Sequence, residues 1–197
     1  MPEKAPEPFQ VFKTTIKFKE VFDMNGLYAM LHYWIIERGW VDVDTNSPDN
    51  HEVSYLEKVN PAGAKTHIIV WQLHKTPERS KFFKWILKVN INTSDLATVE
   101  VMHQGKKIKA NKGGVDIVID AKMQIDYMAI WANHPFLSLF KTYFEKKLYK
   151  SEIDRMKSGL FGEMTEYQGR IKQYLELRQF LPGTDLRGFI PQGVYRG

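Results

Sequence analysis

Hydrophobic and polar residues alternate over several stretches of the chain, and this alternation predicts β-strands. From Gln10 to Lys19, large apolar side chains alternate with lysines and threonines, as in a strand with one exposed face. Five further stretches are predicted as strands, the fourth of them as a strand or as a hairpin bent at Gly105: residues 53–59, 66–75, 82–92, 98–110 and 115–127. The last stretch is long for a strand and is expected to curve.

Helices are predicted where apolar residues recur every three or four positions. The first helix is expected between Asp23, a suitable N-cap, and Gly39, a suitable C-cap. A second helix is expected to begin near Pro135, because proline is favoured in the first turn. Gly159 and Gly162 are expected to break or kink this helix.

A separate apolar stripe at helical spacing follows Gly159. Its members are Met164, Tyr167, Ile171, Tyr174 and Leu175. Such a stripe must be buried, and the preceding helix is already expected to cover the predicted sheet. The stripe is therefore predicted to contact another molecule, with a homodimer as the simplest solution.

The order of elements divides the chain into four predicted regions. They are a proline-rich flexible lead-in at 1–9, an α+β domain at 10–158, a helical arm at 159–181 and an extended tail at 182–197.

The order of elements in residues 10–158 resembles that of the helix-grip superfamily, which includes START-like domains. The resemblance rests on element order alone. It implies a curved antiparallel sheet of about six strands wrapped around a long C-terminal helix, here with an added helical arm. It also implies an apolar cavity, for which the candidate lining residues are Trp71, Trp85, Met123 and Phe140.

Composition excludes several classes of protein. A hydrophobic fraction of 43% and an aromatic fraction of 13% are typical of a folded domain. The chain has no cysteine, which excludes disulfides, thiol nucleophiles and cysteine-bound zinc. No apolar run approaches the roughly 20 residues that span a bilayer, and the N-terminus has no signal-peptide pattern. A cytoplasmic location is therefore expected.

Motifs for catalysis or metal binding are also missing. His67 and His74 are seven residues apart on one predicted strand, so they are expected on opposite faces. Asp116 and Asp120 share a face but lie about 13 Å apart along the strand, too far for a paired acid and base. The Gly105 and Gly113-Gly114 stretches resemble hairpin turns more than phosphate-binding loops. We therefore expect a protein that is not an enzyme and has no cofactor or metal.

Positive charge is concentrated in the middle of the chain. The formal net charge is +5, yet residues 65–112 alone contain ten basic and three acidic side chains. The densest basic stretch surrounds the predicted bend at Gly105, and further lysines precede it. The candidate polyanion-binding residues are Lys106, Lys107, Lys109 and Lys112, extended by Lys81, Lys84 and Lys88.

These lysines predict a binding protein that docks a basic sheet edge or hairpin on an anionic partner, above all RNA or a ribonucleoprotein. The same lysines would also suit a solubilising turn that blocks strand-to-strand aggregation. The sequence leaves two other functions open. One is a carrier of a small hydrophobic ligand in a helix-grip cavity, and the other is an oligomeric protein-interaction module.

Overall fold

The computed structural model describes residues 6–47, 51–77, 82–103, 106–126, 128 and 150–180, with side chains described for all of these except 102–103, 106–108 and 177–180. Six strands and two helices lie in these ranges. In chain order they are β1 (Phe9–Phe22), α1 (Met24–Glu37), β2 (Val41–Asp42), β3 (Glu52–Val59), β4 (Lys65–Lys75), β5 (Phe83–His103), β6 (Lys106–Ile125) and α2 (Lys150–Phe180). The predicted helix start at Pro135 and the predicted tail lie outside the described residues.

The strands form one antiparallel sheet with the order β1-β6-β5-β4-β2. Strand β3 pairs with the first part of β4, and β2 pairs with Leu73 and His74 on the same edge of β4. The sheet is open, with β1 at one edge and β2 and β3 at the other. The predicted α+β class, the six antiparallel strands and the C-terminal helix are confirmed.

The two longest strands, β5 and β6, continue through positions where the sequence predicts that a strand ends. Strand β5 continues past Asn92, and the interruption expected there is a β-bulge in which Asp95 and Leu96 stand opposite Gly113. Asp95 has a φ of +49°. The predicted turn at Gly113-Gly114 is wrong, because both glycines lie inside β6. A Cβ on Gly113 would lie 2.7 Å from the Ser94 carbonyl oxygen, so the bulge requires glycine there.

Helix α1 begins and ends where its capping residues predict. Asp23 is the N-cap in extended conformation, and Gly39 follows the helix with a φ of +72°. The Gly39 N–H donates to the Ile36 carbonyl over 2.9 Å, and the Trp40 N–H donates to Ile35 over 3.1 Å. These bonds satisfy carbonyls that the helix end would leave unpaired.

Helix α2 runs without a break through Gly159 and Gly162, so the expected interruption is absent and the predicted boundary after residue 158 falls inside the helix. The aromatic ring of Trp85 lies 3.6 Å from the position that a Cβ on Gly159 would occupy. A Cβ at this position would make an ordinary van der Waals contact with Trp85, so the packing of α2 on the sheet does not require glycine there.

The apolar stripe of α2 is buried in the chain's own core and not at a surface. Each of its five predicted members is at most 7% exposed: Met164, Tyr167, Ile171, Tyr174 and Leu175. The Tyr167 ring stacks on Trp34 of α1 at 4.3 Å. Because burial of one such side chain is worth about 1.5–3 kcal/mol, the stripe needs no second copy, and the reason for expecting one there is removed.

Polar contacts fix α2 against β1, against β4 and against Trp40, which follows α1. Glu163 accepts hydrogen bonds from Lys75 Nζ, over 3.0 Å, and from the Trp40 ring N–H, over 2.7 Å. Gln168 donates to Thr14 of β1 over 2.8 Å. Both helices therefore pack on the same face of the sheet, which we call the inner face. Neither of them is long and apolar enough to cross a membrane.

Candidate binding surfaces

The face of the sheet opposite the two helices, called the outer face, carries an excess of lysine. Side chains alternate between faces along a strand, and the inner positions are identified by their burial in the core. The described outward positions contain two aspartates, Asp116 and Asp120. They contain eight lysines: Lys13, Lys17, Lys19, Lys58, Lys84, Lys88, Lys112 and Lys122.

The two aspartates neutralise only part of this charge. Asp116 lies opposite Lys17, with 3.8 Å between the charged atoms. Asp120 lies in the ladder between Lys13 and Lys88. Lys19 stands opposite Gly114 and has no acidic neighbour across the ladder. Six positive charges therefore remain in excess among the described outward positions, and we call their eight lysines the lysine face.

The candidate polyanion-binding lysines do not all lie on the same face of the sheet. Lys84, Lys88 and Lys112 lie on the outer face. Lys109 is exposed but points to the opposite side, because it is three residues from Lys112 on a regular strand and pairs with Glu100. Lys106 and Lys107 begin β6 and their side chains lie outside the described residues, as does Lys81.

Five members of the lysine face were missed by the sequence analysis. Lys13, Lys17 and Lys19 of β1, together with Lys58 and Lys122, join the outer face through strand pairing. The signal for the β1 lysines was present in the alternation of residues 10–19, where they occupy the polar side. Their proximity to Lys88 and Lys112 required knowledge that β6 lies between β1 and β5.

The predicted hydrophobic cavity residues occupy the packed core. Trp71 and Met123 are fully buried, and Trp85 is 7% exposed. Trp85 lies beside Trp40 and beneath Lys75, whose charge is 5.6 Å from the Trp85 ring. Phe140 lies outside the described residues. The surface has one hollow between β1 and α2 and another between α1 and β3, and the three described residues line neither of them.

The hollow between α1 and β3 has polar and apolar lining residues and lies on the inner side of the sheet, next to the bulge. Its volume is about 480 Å³, within the range of roughly 300–1,000 Å³ that is usual for small-molecule sites. We call it the Glu57 pocket. Its lining residues are Met24, Asn25, Tyr28, Glu52, Tyr55, Glu57, Lys65, His67, Ile69, Leu96, Thr98 and Asn111.

Glu57 organises one wall of this pocket. Its carboxylate contacts Lys65 at 2.7 Å and His67 at 3.4 Å, and it accepts a hydrogen bond from the Tyr55 hydroxyl over 3.2 Å. The hydrogen bond from Lys65 lowers the pKa of Glu57 and raises the pKa of Lys65. Burial, together with the Glu57 carboxylate, raises the pKa of Tyr55. This wall is therefore the Glu57–Lys65 ion pair, with the Tyr55 hydroxyl and the His67 ring beside it.

His67 connects that wall to the interior of the sheet. Its Nδ1 lies 2.9 Å from the Thr93 hydroxyl oxygen, which also accepts the His67 backbone N–H over 2.7 Å. Thr93 is 3% exposed, so this hydroxyl supports His67 and is not presented to the pocket.

Glu52 and Tyr28 form the second polar wall. The Tyr28 hydroxyl donates to Glu52 over 2.6 Å. Burial, and then this bond to a carboxylate, raises the pKa of Tyr28 far above its usual value. No cationic side chain of the described residues pairs with Glu52, so the pocket holds two carboxylates and one lysine. Its charge is opposite in sign to that of the lysine face.

Other candidate chemistry in the described part of the chain is structural. His67 lies on the inner face and His74 on the outer face, as their spacing predicts. Asp42 closes the loop after β2 by accepting hydrogen bonds from the Asp44 and Thr45 amides. No group of three or more His, Asp or Glu side chains among the described residues is placed to hold a metal ion. Comparison with protein-family models, with curated proteins and with solved structures finds no match for this chain.

Proposed function

We propose that the protein binds an anionic polymer, with RNA as the expected partner, through the lysine face. The observation that carries the proposal is the excess of eight lysines over two aspartates on one side of the sheet. Lysine ammonium groups bind phosphate oxygens as mobile point charges and do not read bases. Binding is therefore expected to depend on salt and to be insensitive to sequence.

The outer face supports backbone contacts better than base stacking. The outward apolar positions of the described strands are aliphatic, for example Ile68, Ile86 and Val118. Phe82, a candidate stacking residue by its place among the lysines, is partly buried against Phe83 at 5.4 Å. Single-strand binders that stack bases use exposed aromatic rings, so the affinity proposed for the lysine face rests on charge.

A matched pair of variants tests this proposal. One variant carries Lys13→Gln, Lys19→Gln and Lys88→Gln, which removes three exposed charges from the lysine face. The control carries Lys150→Gln, Arg170→Gln and Lys172→Gln, which removes three exposed charges from α2. Fluorescence anisotropy with labelled single-stranded RNAs of two sequences should show at least about tenfold weaker binding for the first variant only. Equal affinities of the two variants would refute the proposal.

A second candidate function is the binding of a small organic cation in the Glu57 pocket. The observation that favours it is Glu52, a carboxylate held by Tyr28 with no cationic partner among the described residues. Two tyrosine rings and a carboxylate suit an ammonium group. The candidate is an alternative to the hydrophobic ligand expected from sequence, because charged and hydroxyl groups line this pocket together with Met24, Ile69 and Leu96.

Calorimetric titration with putrescine tests the second candidate, with acetate as a probe of opposite charge. Putrescine is expected to bind the wild-type protein and to lose affinity in Glu52→Gln. Binding of acetate with equal affinity, or binding of putrescine that Glu52→Gln leaves unchanged, would exclude a cation site. The helix-grip interpretation, with a sheet that curves around α2, is a further proposal that neither titration requires.

A further inference from the structure

Strand β3 differs from every other strand in its exposure. All eight of its residues are exposed, although it pairs along its length with β4. Four of them are large apolar or aromatic side chains: Val53 at 47%, Tyr55 at 51%, Leu56 at 43% and Val59 at 59%. Ile68, opposite Leu56 on β4, is also 39% exposed. The outer edge of β3 pairs with no strand of the described residues.

An exposed edge strand with apolar side chains is a template for another strand. We infer that β3 pairs antiparallel with β3 of a second copy of this chain, so that the two sheets join into one. The partner is inferred from the sequence of β3 itself. When two copies of β3 run antiparallel, one register places compatible side chains opposite each other.

In that register, Leu56 lies opposite Leu56 of the partner subunit on the two-fold axis. Val53 then faces Val59, Ser54 faces Lys58 and Tyr55 faces Glu57 across the axis. Apolar residues meet apolar residues, and no two like charges are opposed. Tyr55 and Glu57 already form a hydrogen bond within one chain, so their side chains can make the same bond across the axis.

The neighbouring registers are less favourable. A shift that centres the axis on Glu57 opposes two carboxylates, which is destabilising. A shift that centres it on Tyr55 places Val53 opposite Glu57. Any register offset by one residue would place outward side chains beside inward ones, because side chains alternate along a strand. The sequence of β3 therefore specifies one pairing.

This dimer differs in location from the one predicted from the α2 stripe, whose residues are buried within a single chain. The surface that forms it is largely apolar, whereas the lysine face is charged. The two-fold axis through Leu56 is expected to continue the outer face of one copy into the outer face of the other, since an axis perpendicular to a sheet preserves its faces.

Light scattering after size-exclusion chromatography tests the inference with the full chain. Wild type should have twice the 23.1 kDa mass of one chain, and Leu56→Lys should have the mass of one. Val43→Lys is the matched control, because Val43 is an exposed valine outside β3. It should remain a dimer. A monomeric wild type, or a dimeric Leu56→Lys variant with an intact circular dichroism spectrum, would overturn the inference.

The absence of cysteine from the chain allows a second test of the register. Residues opposite each other in an antiparallel pair have Cα atoms about 4.5–5.5 Å apart, which a disulfide can span. Mild oxidation should therefore link Leu56→Cys into a covalent dimer and leave Val43→Cys unlinked. Failure of Leu56→Cys to link, or equal linking of both variants, would refute the proposed pairing.

Discussion

The two edge strands of the sheet differ in how they meet solvent. Strand β1 presents Lys13, Lys17 and Lys19 on the outer face and buries Phe12 and Ile16 on the inner face. Strand β3 exposes all eight of its residues, of which four are large apolar or aromatic side chains and three are charged, namely Glu52, Glu57 and Lys58. Repeated charge on an edge strand opposes pairing with other strands. The same lysines on β1 suit a polyanion, whereas β3 is suited to pairing.

The difference indicates that the two edges of one sheet have different surface chemistry, because seven of the eight lysines of the lysine face lie on β1, β5 and β6 and the exposed apolar side chains of β3 lie at the other edge. The bulge at Asp95 and Leu96 changes which residues of β5 face outward, and it places Thr98 on the inner side. Inner-side positions next to the bulge, such as Thr98 and Asn111, line the Glu57 pocket. Lys112, one residue from Asn111, belongs to the lysine face.

The largest expected effect is on the free energy of unfolding, when a side chain is removed from the core between the helices and the sheet. Ile171→Ala should lower the free energy of unfolding by about 2–5 kcal/mol, because Ile171 is fully buried between α2 and the rest of the core. The neighbouring exposed residue provides the control, since Lys172→Ala should change the free energy by less than about 0.5 kcal/mol. Urea denaturation measures both. Equal effects would mean that this part of α2 does not pack on its own chain.

A smaller effect is expected at the bulge. Gly113→Ala should cost about 1–3 kcal/mol, because its Cβ would approach the backbone oxygens of Ser94 and Asp95 to within 2.9 Å. Gly114→Ala should cost less, since the closest atom to its Cβ is the hydroxyl of the Ser94 side chain, which can rotate. Thermal or urea unfolding compares the two. A larger cost at Gly114 would show that the bulge lies elsewhere.

The smallest effect concerns pH and the charge of the outer face. Burial, followed by the charge of Lys84, lowers the pKa of His74 below its usual value of 6.5. The unfolded chain then takes up this proton more readily than the folded chain, so stability is lost as the pH falls below 6.5. Stability should decline less between about pH 7 and pH 5 in His74→Gln than in wild type. Parallel profiles would show that the folded chain does not lower the pKa of His74.

The sequence predicted the bounds of α1 well, because these bounds depend on a few neighbouring residues. Asp23 and Gly39 bound α1 because capping depends on a few adjacent residues. The role of Gly113 could not be predicted in the same way, since it accommodates a bulge in another strand. The continuity of α2 through Gly159 and Gly162 could not be predicted either, because its apolar stripe packs on residues that lie far earlier in the chain.

The binding surfaces were predicted only in part for the same reason. Counting lysines along the chain located Lys84, Lys88 and Lys112. It did not separate Lys109, whose opposite direction follows from its place on the strand. The Glu57 pocket joins residues from α1, β3, β4, β5 and β6, and no motif in the sequence relates them.

The dependence of RNA affinity on salt is the most direct test of the lysine face. Each phosphate contact with a single strand contributes about 0.7 to the slope of log affinity against log salt concentration. The variant with Lys13→Gln, Lys19→Gln and Lys88→Gln should therefore have a slope about 2 units shallower than wild type. Anisotropy titrations over a series of salt concentrations give both slopes. Equal slopes in a folded variant would contradict the assignment of these lysines to phosphate contacts.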